Sequence, residues 1–160
     1  HNPEKKCLSA KKKLAIPPQS VILVYMNDRK DQTPLPTFND LVFQPHPNVP
    51  DAVMAKMTFG HNDQFQISVV AMNGDKPAFG GLYGDASNDT YEVAMFHFDS
   101  MLPLAKYDDV IGWQSPTDIT KLIRQAILND FAWVCLLRSI RAERDAELED
   151  GVSDRLGLDN

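Results

Sequence analysis

Asp108 and Asp109 are the residues of this chain whose types and spacing come nearest to chemistry. Adjacent carboxylates can share a proton or bind a cation, and burial beside Trp113 would raise one pKa as general acid–base work requires. The competing reading is structural, because short acidic side chains ahead of a helix satisfy loop amides. His46, His61 and His97 would offer imidazole to a metal, yet no two of them stand at an i, i+4 interval and no Cys-x-x-Cys pair accompanies them. Turn or sheet roles are expected instead, with His97 as a hydrogen-bonded strand histidine. The loop Gly80-Gly81-Leu82-Tyr83-Gly84 lacks both the Gly-x-Gly-x-x-Gly and the Gly-Lys-Ser/Thr patterns of phosphate cradles. No serine lies in a nucleophile elbow. No cofactor, metal or small-molecule ligand is inferred.

The elements that must position these residues are most legible from Tyr91 to Leu128. Tyr91, Val93, Met95 and His97 alternate with Glu92, Ala94, Phe96 and Phe98, the period-two pattern of a strand. A second strand is expected over Met101–Ala105, confined to a sheet edge by Pro103, which has no N–H to donate. Ser115-Pro116-Thr117-Asp118 marks a helix start: Ser115 caps, Pro116 needs no N–H, and Asp118 faces the positive helix end. Ile119, Leu122, Ile123, Ala126 and Ile127 then form one apolar stripe that must lie on the sheet.

Upstream, prolines at 34, 36, 45, 47 and 50 bracket a short strand expected over Asn39–Gln44. Val53–Phe59 and Gln64–Ala71 alternate on either side of Gly60-His61-Asn62-Asp63 and predict a hairpin. The fold class is α+β: an antiparallel sheet of four to five strands packed by one C-terminal helix, with a further helical extension. A single straight helix from Pro116 to Glu149 would run about 50 Å, so a bend near Asn129 is expected. Beyond it, Phe131, Trp133, Val134, Leu137 and Ile140 offer a second apolar surface, either a satellite of the core or an interface.

The domain plan is a disordered or basic arm over 1–36, an α+β domain over 37–130, and a helical extension with a frayed tail over 131–160. The basic region before an apolar run suggests a signal peptide, but Pro17-Pro18 and Gln19-Ser20 interrupt that run and no small-x-small site follows. Met26, ahead of a polar stretch, is a candidate native first residue. The net charge of −6 hides a gradient, since residues 1–30 carry seven basic and two acidic side chains, net +5, whereas the remainder is acidic. An acidic body argues against a nucleic-acid binder. Cys7 and Cys135 lie in segments of different character, so two free thiols, a reducing compartment and a cytoplasmic location are expected.

Several pieces of the chain resemble a group of short uncharacterised proteins encoded by phages and prophages. They are Phe38-Asn39-Asp40-Leu41-Val42-Phe43 with Pro45-His46-Pro47-Asn48, then Ile67-Ser68-Val69-Val70, Thr90-Tyr91-Glu92-Val93-Ala94, and Asp108-Asp109-Val110-Ile111-Gly112 ahead of a Ser-Pro helix start. The resemblance covers about the middle ninety residues. The group carries Asn-Gly-Tyr-Gly where this chain has His61-Asn62-Asp63-Gln64, and its members end soon after the helix. It implies a phage-type accessory role and no chemistry.

Three functions follow. The first is a non-enzymatic accessory protein that binds a host protein, using Asp108, Asp109, Trp113, Phe131, Trp133 and Leu137 as candidate contacts. The second is an enzyme or metal-binding protein built on Asp108, Asp109 and a histidine. The third is a structural subunit that self-associates through residues 131–149. No membrane segment is expected, because the apolar run near the N-terminus is too short to span a bilayer as a helix.

Overall fold

The computed structural model describes residues 34–74 and 81–157. The expected N-terminal arm up to residue 33, Met26, Cys7, Gly80 and the last three residues of the tail lie outside the described residues.

Alternation over residues 52–72 and 91–97 produces the three long strands, β2 (Ala52–Phe59), β3 (Phe65–Met72) and β4 (Tyr91–His97), paired antiparallel in that order. The sheet is completed by the short strands β1 (Gln44–Pro45) on β2, β5 (Ser100–Met101) and β6 (Ile111–Gln114). Both β5 and β6 pair with β4, at its two ends: His97 with Ser100, and Tyr91 with Gln114. One α-helix follows, α1 (Pro116–Leu156). The architecture is α+β, with the helix on one face of a six-stranded antiparallel sheet.

Register assigns the faces. Ala55 opposite Val69 opposite Val93, and Met57 opposite Ile67 opposite Met95, put the apolar half of each alternation on one side. Against it lie Ile119, Ile123 and Ala126, all fully buried, with Leu122 and Ile127 at the margins. At roughly 1.5–3 kcal/mol for each large aliphatic side chain buried, this contact is the main source of stability. The other face carries Lys56, Thr58, Gln66, Ser68 and Glu92 between Met54, Ala94 and Phe96, the mixture of a sheet facing water.

Three expectations need correction. The strand foreseen over Asn39–Gln44 is a 3₁₀ turn at Phe38–Asp40 followed by the two-residue β1. Thr37 and Asp40 cap each other: Thr37 Oγ1 accepts from the Asn39 N–H at 3.2 Å, and Asp40 Oδ2 accepts from the Thr37 N–H at 2.8 Å. These local bonds outcompete a ladder. The strand foreseen over Met101–Ala105 stops at Met101, because after Leu102 donates to the Met95 carbonyl Pro103 has nothing to donate. Its hairpin turns on Phe98-Asp99, both at positive φ as a type I′ turn requires. Finally, Cys135 is disulfide-bonded, and no described cysteine is free, against the expectation of two free thiols.

The foreseen helix start is present. Ser115 Oγ accepts from the Asp118 N–H at 3.1 Å while Asp118 Oδ2 accepts from the Ser115 N–H at 3.0 Å. Those bonds to Ser115 hold the Asp118 carboxyl below its usual range. The bend falls at Asp130, where φ 47 and ψ −133 interrupt the helical backbone. Before it, residues 116–129 lie on the sheet. After it, residues 131–156 form a second arm of about 39 Å, whose Trp133 and Val134 join the same apolar core.

His97 sits at the bend. It is buried on the inner face, its Nε2 lies 3.1 Å from Gln64 Oε1, and its ring packs near Phe65, Phe98 and Phe131. Burial pushes its pKa below 6.5, Arg138 adds to that, and Asp130 opposes it. A histidine that protonates less readily when folded contributes stability that is complete above the unfolded pKa and declines as pH falls below it, because the unfolded chain then binds the extra proton. Urea unfolding should therefore show stability falling below about pH 6.5, and His97→Gln should flatten that dependence. An unchanged pH slope in the variant would remove His97 as its source.

Candidate functional site

The acidic pair belongs to the loop between β5 and β6. Asp108 Oδ1 accepts from the Asp109 N–H at 2.7 Å and lies 3.4 Å from the Val110 N–H, so this carboxylate folds back on its own loop. Asp109 Oδ1 turns instead to Arg141 Nη1 at 3.0 Å. The two carboxylates thus have separate partners. Trp113 does not cover them: it lies on β6 with 60% of its surface exposed.

Arg141 is the residue that sequence reasoning missed. Besides Asp109 it donates to the Ala105 carbonyl at 2.9 Å and to the Asp108 carbonyl at 2.5 Å. One guanidinium on the second arm thereby gathers three acceptors of the 105–109 loop, which its rigid fork of five donors allows and a lysine would not. Arg138 reinforces the contact by donating to Ser100 Oγ at 3.0 Å. Tyr107 lies under the cations of Lys106 and Arg144, 5.3 and 5.1 Å from the ring centre. Sequence offered one hint: Arg138, Arg141 and Arg144 recur every three residues, along one side of a helix.

This clamp shapes a groove of about 460 Å³ between the loop and the arm, floored by Leu104, Leu137 and Ile140 and rimmed by Arg141, Glu143 and Glu147. The other candidate residues scatter. Trp133 is buried, with its ring 6.5 Å from that of Phe65, and Leu137 packs against the core, so these two serve the interior. Phe131 is partly exposed beside His97. Past Arg144 the arm is exposed, with Leu148, Val152 and Leu156 facing solvent among Glu147, Glu149 and Asp150.

A second surface feature is the Tyr83 and Trp113 edge. The Trp113 N–H donates to the Tyr83 carbonyl at 2.8 Å, and the Tyr83 N–H donates to Glu92 Oε2 at 2.8 Å. Gly112 is flush against Tyr83, where an added Cβ would come within 2.5 Å of the tyrosine Cβ. Trp113 itself has φ 56, unusual for a bulky side chain. Asp85 fixes the loop behind this edge: its Oδ1 accepts from the Ser87 hydroxyl at 2.7 Å, and its Oδ2 from the Asn88 amide at 2.7 Å. Those bonds, the Ser87 hydroxyl foremost, lower its pKa.

The histidines do not converge. His46 Nδ1 accepts from the Asn48 and Val49 N–H groups at 3.1 Å each in a turn, His61 lies in the exposed β2–β3 connection, and His97 is inside. Among the described residues no three His, Cys, Asp or Glu side chains are placed to hold a metal ion. Nor is any described helix long and apolar enough to cross a membrane. Compared with protein-family models, curated proteins and solved structures, the chain matches none.

The two roles assigned to the loop separate by mutation. Removing Arg141 as Arg141→Ala strands two carbonyls and a carboxylate and should cost about 1.5–3 kcal/mol in urea unfolding. Asp109→Asn, which loses a half-exposed ion pair, should cost about 1 kcal/mol or less. Equal costs would show that Arg141 acts through the ion pair alone.

Proposed function

We propose that this chain is a non-catalytic binding protein that recognises another protein through the distal part of α1. The observation that carries the reading is the uncovered end of the second arm. Residues 145–156 extend about 18 Å past the Arg141 clamp and expose Leu148, Val152 and Leu156, three apolar side chains four residues apart on neighbouring turns. Amphipathic helices of this kind dock into grooves, or accept a second helix, by such i, i+4 anchors.

Charge selects the partner's character. Glu147, Glu149 and Asp150 flank the stripe, so a second copy laid against it would oppose carboxylate with carboxylate, whereas a basic partner is attracted. Self-association through residues 131–149 is disfavoured further because Trp133 and Leu137 are already committed to the core. An enzyme using Asp108 and Asp109 has less support, since each carboxylate is engaged in holding its loop. A cytoplasmic location loses the support that two free thiols would have given, because a disulfide at Cys135 favours an oxidising compartment.

The test compares the full chain with the variant Leu148→Asp, Val152→Asp, Leu156→Asp in capture from a bacterial extract, with light scattering of each protein alone. A stoichiometric partner held by the full chain and reduced at least tenfold by the variant is expected, with both proteins monomeric. Equal capture by the two proteins would place the interface elsewhere. A dimer of the full chain that the variant dissolves would convert the reading to self-association.

A further inference from the structure

We infer that Tyr83, Trp113 and Glu92 form a second docking surface, which takes an arginine side chain from a basic segment of a partner protein. The inference does not rest on the reading of α1 above and uses none of its residues.

Three observations lead to it. The first is rigidity. Tyr83 is held from both sides: its N–H donates to Glu92 Oε2 on β4 and its carbonyl accepts from the Trp113 N–H on β6, each at 2.8 Å. Gly84 and Gly112 bring the backbone into close contact here, since an added Cβ would stand 2.6 Å from the Tyr91 Cα at the first and 2.5 Å from the Tyr83 Cβ at the second. The Gln114 side-chain amide fixes Gly112 further by donating to its carbonyl at 3.0 Å. The second observation is strain. Trp113 keeps φ 56 while more than half exposed, so burial of its ring does not offset the left-handed backbone, and outliers of this kind cluster where a side chain is held for a function. The third is an unmet electrostatic demand. Tyr107, also strongly exposed, has the cations of Lys106 and Arg144 over its ring. No described cation covers Tyr83 or Trp113, and Glu92 pairs with no described lysine or arginine.

Chemistry identifies the occupant. Two aromatic side chains beside a carboxylate match a guanidinium, which lies flat on a ring while its N–H groups reach an acceptor oxygen. Glu92 Oε2 already accepts from Tyr83, and Oε1 accepts from no described residue. Asp85 and Asp89, in the loop that carries Tyr83, add negative charge. That charge attracts a basic segment and opposes the phosphates that would accompany a stacked nucleobase.

The experiment titrates the full chain with an acetylated, amidated Gly-Arg-Gly-Arg-Gly peptide and follows by NMR the tryptophan indole N–H signals and the backbone amides of 82–84 and 112–114. Trp133, the other tryptophan, is buried, so the Trp113 indole alone should shift, saturably, together with those amides. A Gly-Glu-Gly-Glu-Gly peptide should shift none of them. Trp113→Gly should keep its urea midpoint, because glycine adopts that φ freely, and should weaken binding about tenfold. Glu92→Gln, which keeps an acceptor for the Tyr83 N–H and loses the charge, should weaken it about threefold. Equal shifts with the two peptides, shifts confined to other surfaces, or unchanged affinity in Glu92→Gln would overturn the inference. So would a thymidine oligonucleotide that moves the Trp113 signal where the arginine peptide does not. Should Trp113→Gly fail to fold, Glu92→Gln decides alone. None of these outcomes bears on capture through Leu148, Val152 and Leu156.

Discussion

The structure depends first on one apolar contact, the stripe Ile119, Ile123 and Ala126 laid on Ile67, Val69, Val93 and Met95. Everything else is arranged around keeping that contact dry. The Ser115 and Asp118 caps set where the helix begins, the register of β2, β3 and β4 keeps the apolar side chains on one face, and β6 closes the β4 edge just before the helix departs. Replacing a buried isoleucine here by alanine would remove both transfer energy and packing, about 2–5 kcal/mol in a domain whose net stability is of order 10 kcal/mol.

The break at Asp130 turns this packed helix into something else. Had the helical backbone continued, the C-terminal half would have left the domain straight after Ile127. The bend returns it across the β4–β5 end, where Trp133 and Val134 extend the core and Arg138 and Arg141 bind the loop. One segment therefore has two characters. Its first three turns are interior, and its last three carry apolar side chains that no described element covers. Aliphatic groups exposed along a helix beside carboxylates are the physical basis of the binding role proposed above.

Legibility in the sequence followed the range of the forces involved. Alternation over 53–59, 64–71 and 91–98 and the Ser-Pro cap are local and read correctly, as did the need for a bend near Asn129. β6 was invisible because Gly112 and the positive φ of Trp113 break any period-two pattern, and the strand forms through its partners Tyr91 and Val93 and the Tyr83 carbonyl. Asp108 and Asp109 were visible as a pair, but their separation depends on Asp109 meeting Arg141, a contact 32 residues apart in the chain, while Asp108 caps the adjacent loop amide. The bonded state of Cys135 likewise depends on tertiary proximity, which composition cannot supply.

Hydrogen exchange along α1 in the isolated full chain tests the account most directly. Amides of 131–141, held by the core and the Arg141 clamp, should exchange slowly, and those of 145–156 should exchange orders of magnitude faster at every protein concentration, as helix without tertiary support does. Uniform slow exchange through residue 156 would show that the distal arm is already covered and would contradict its assignment as a free docking surface.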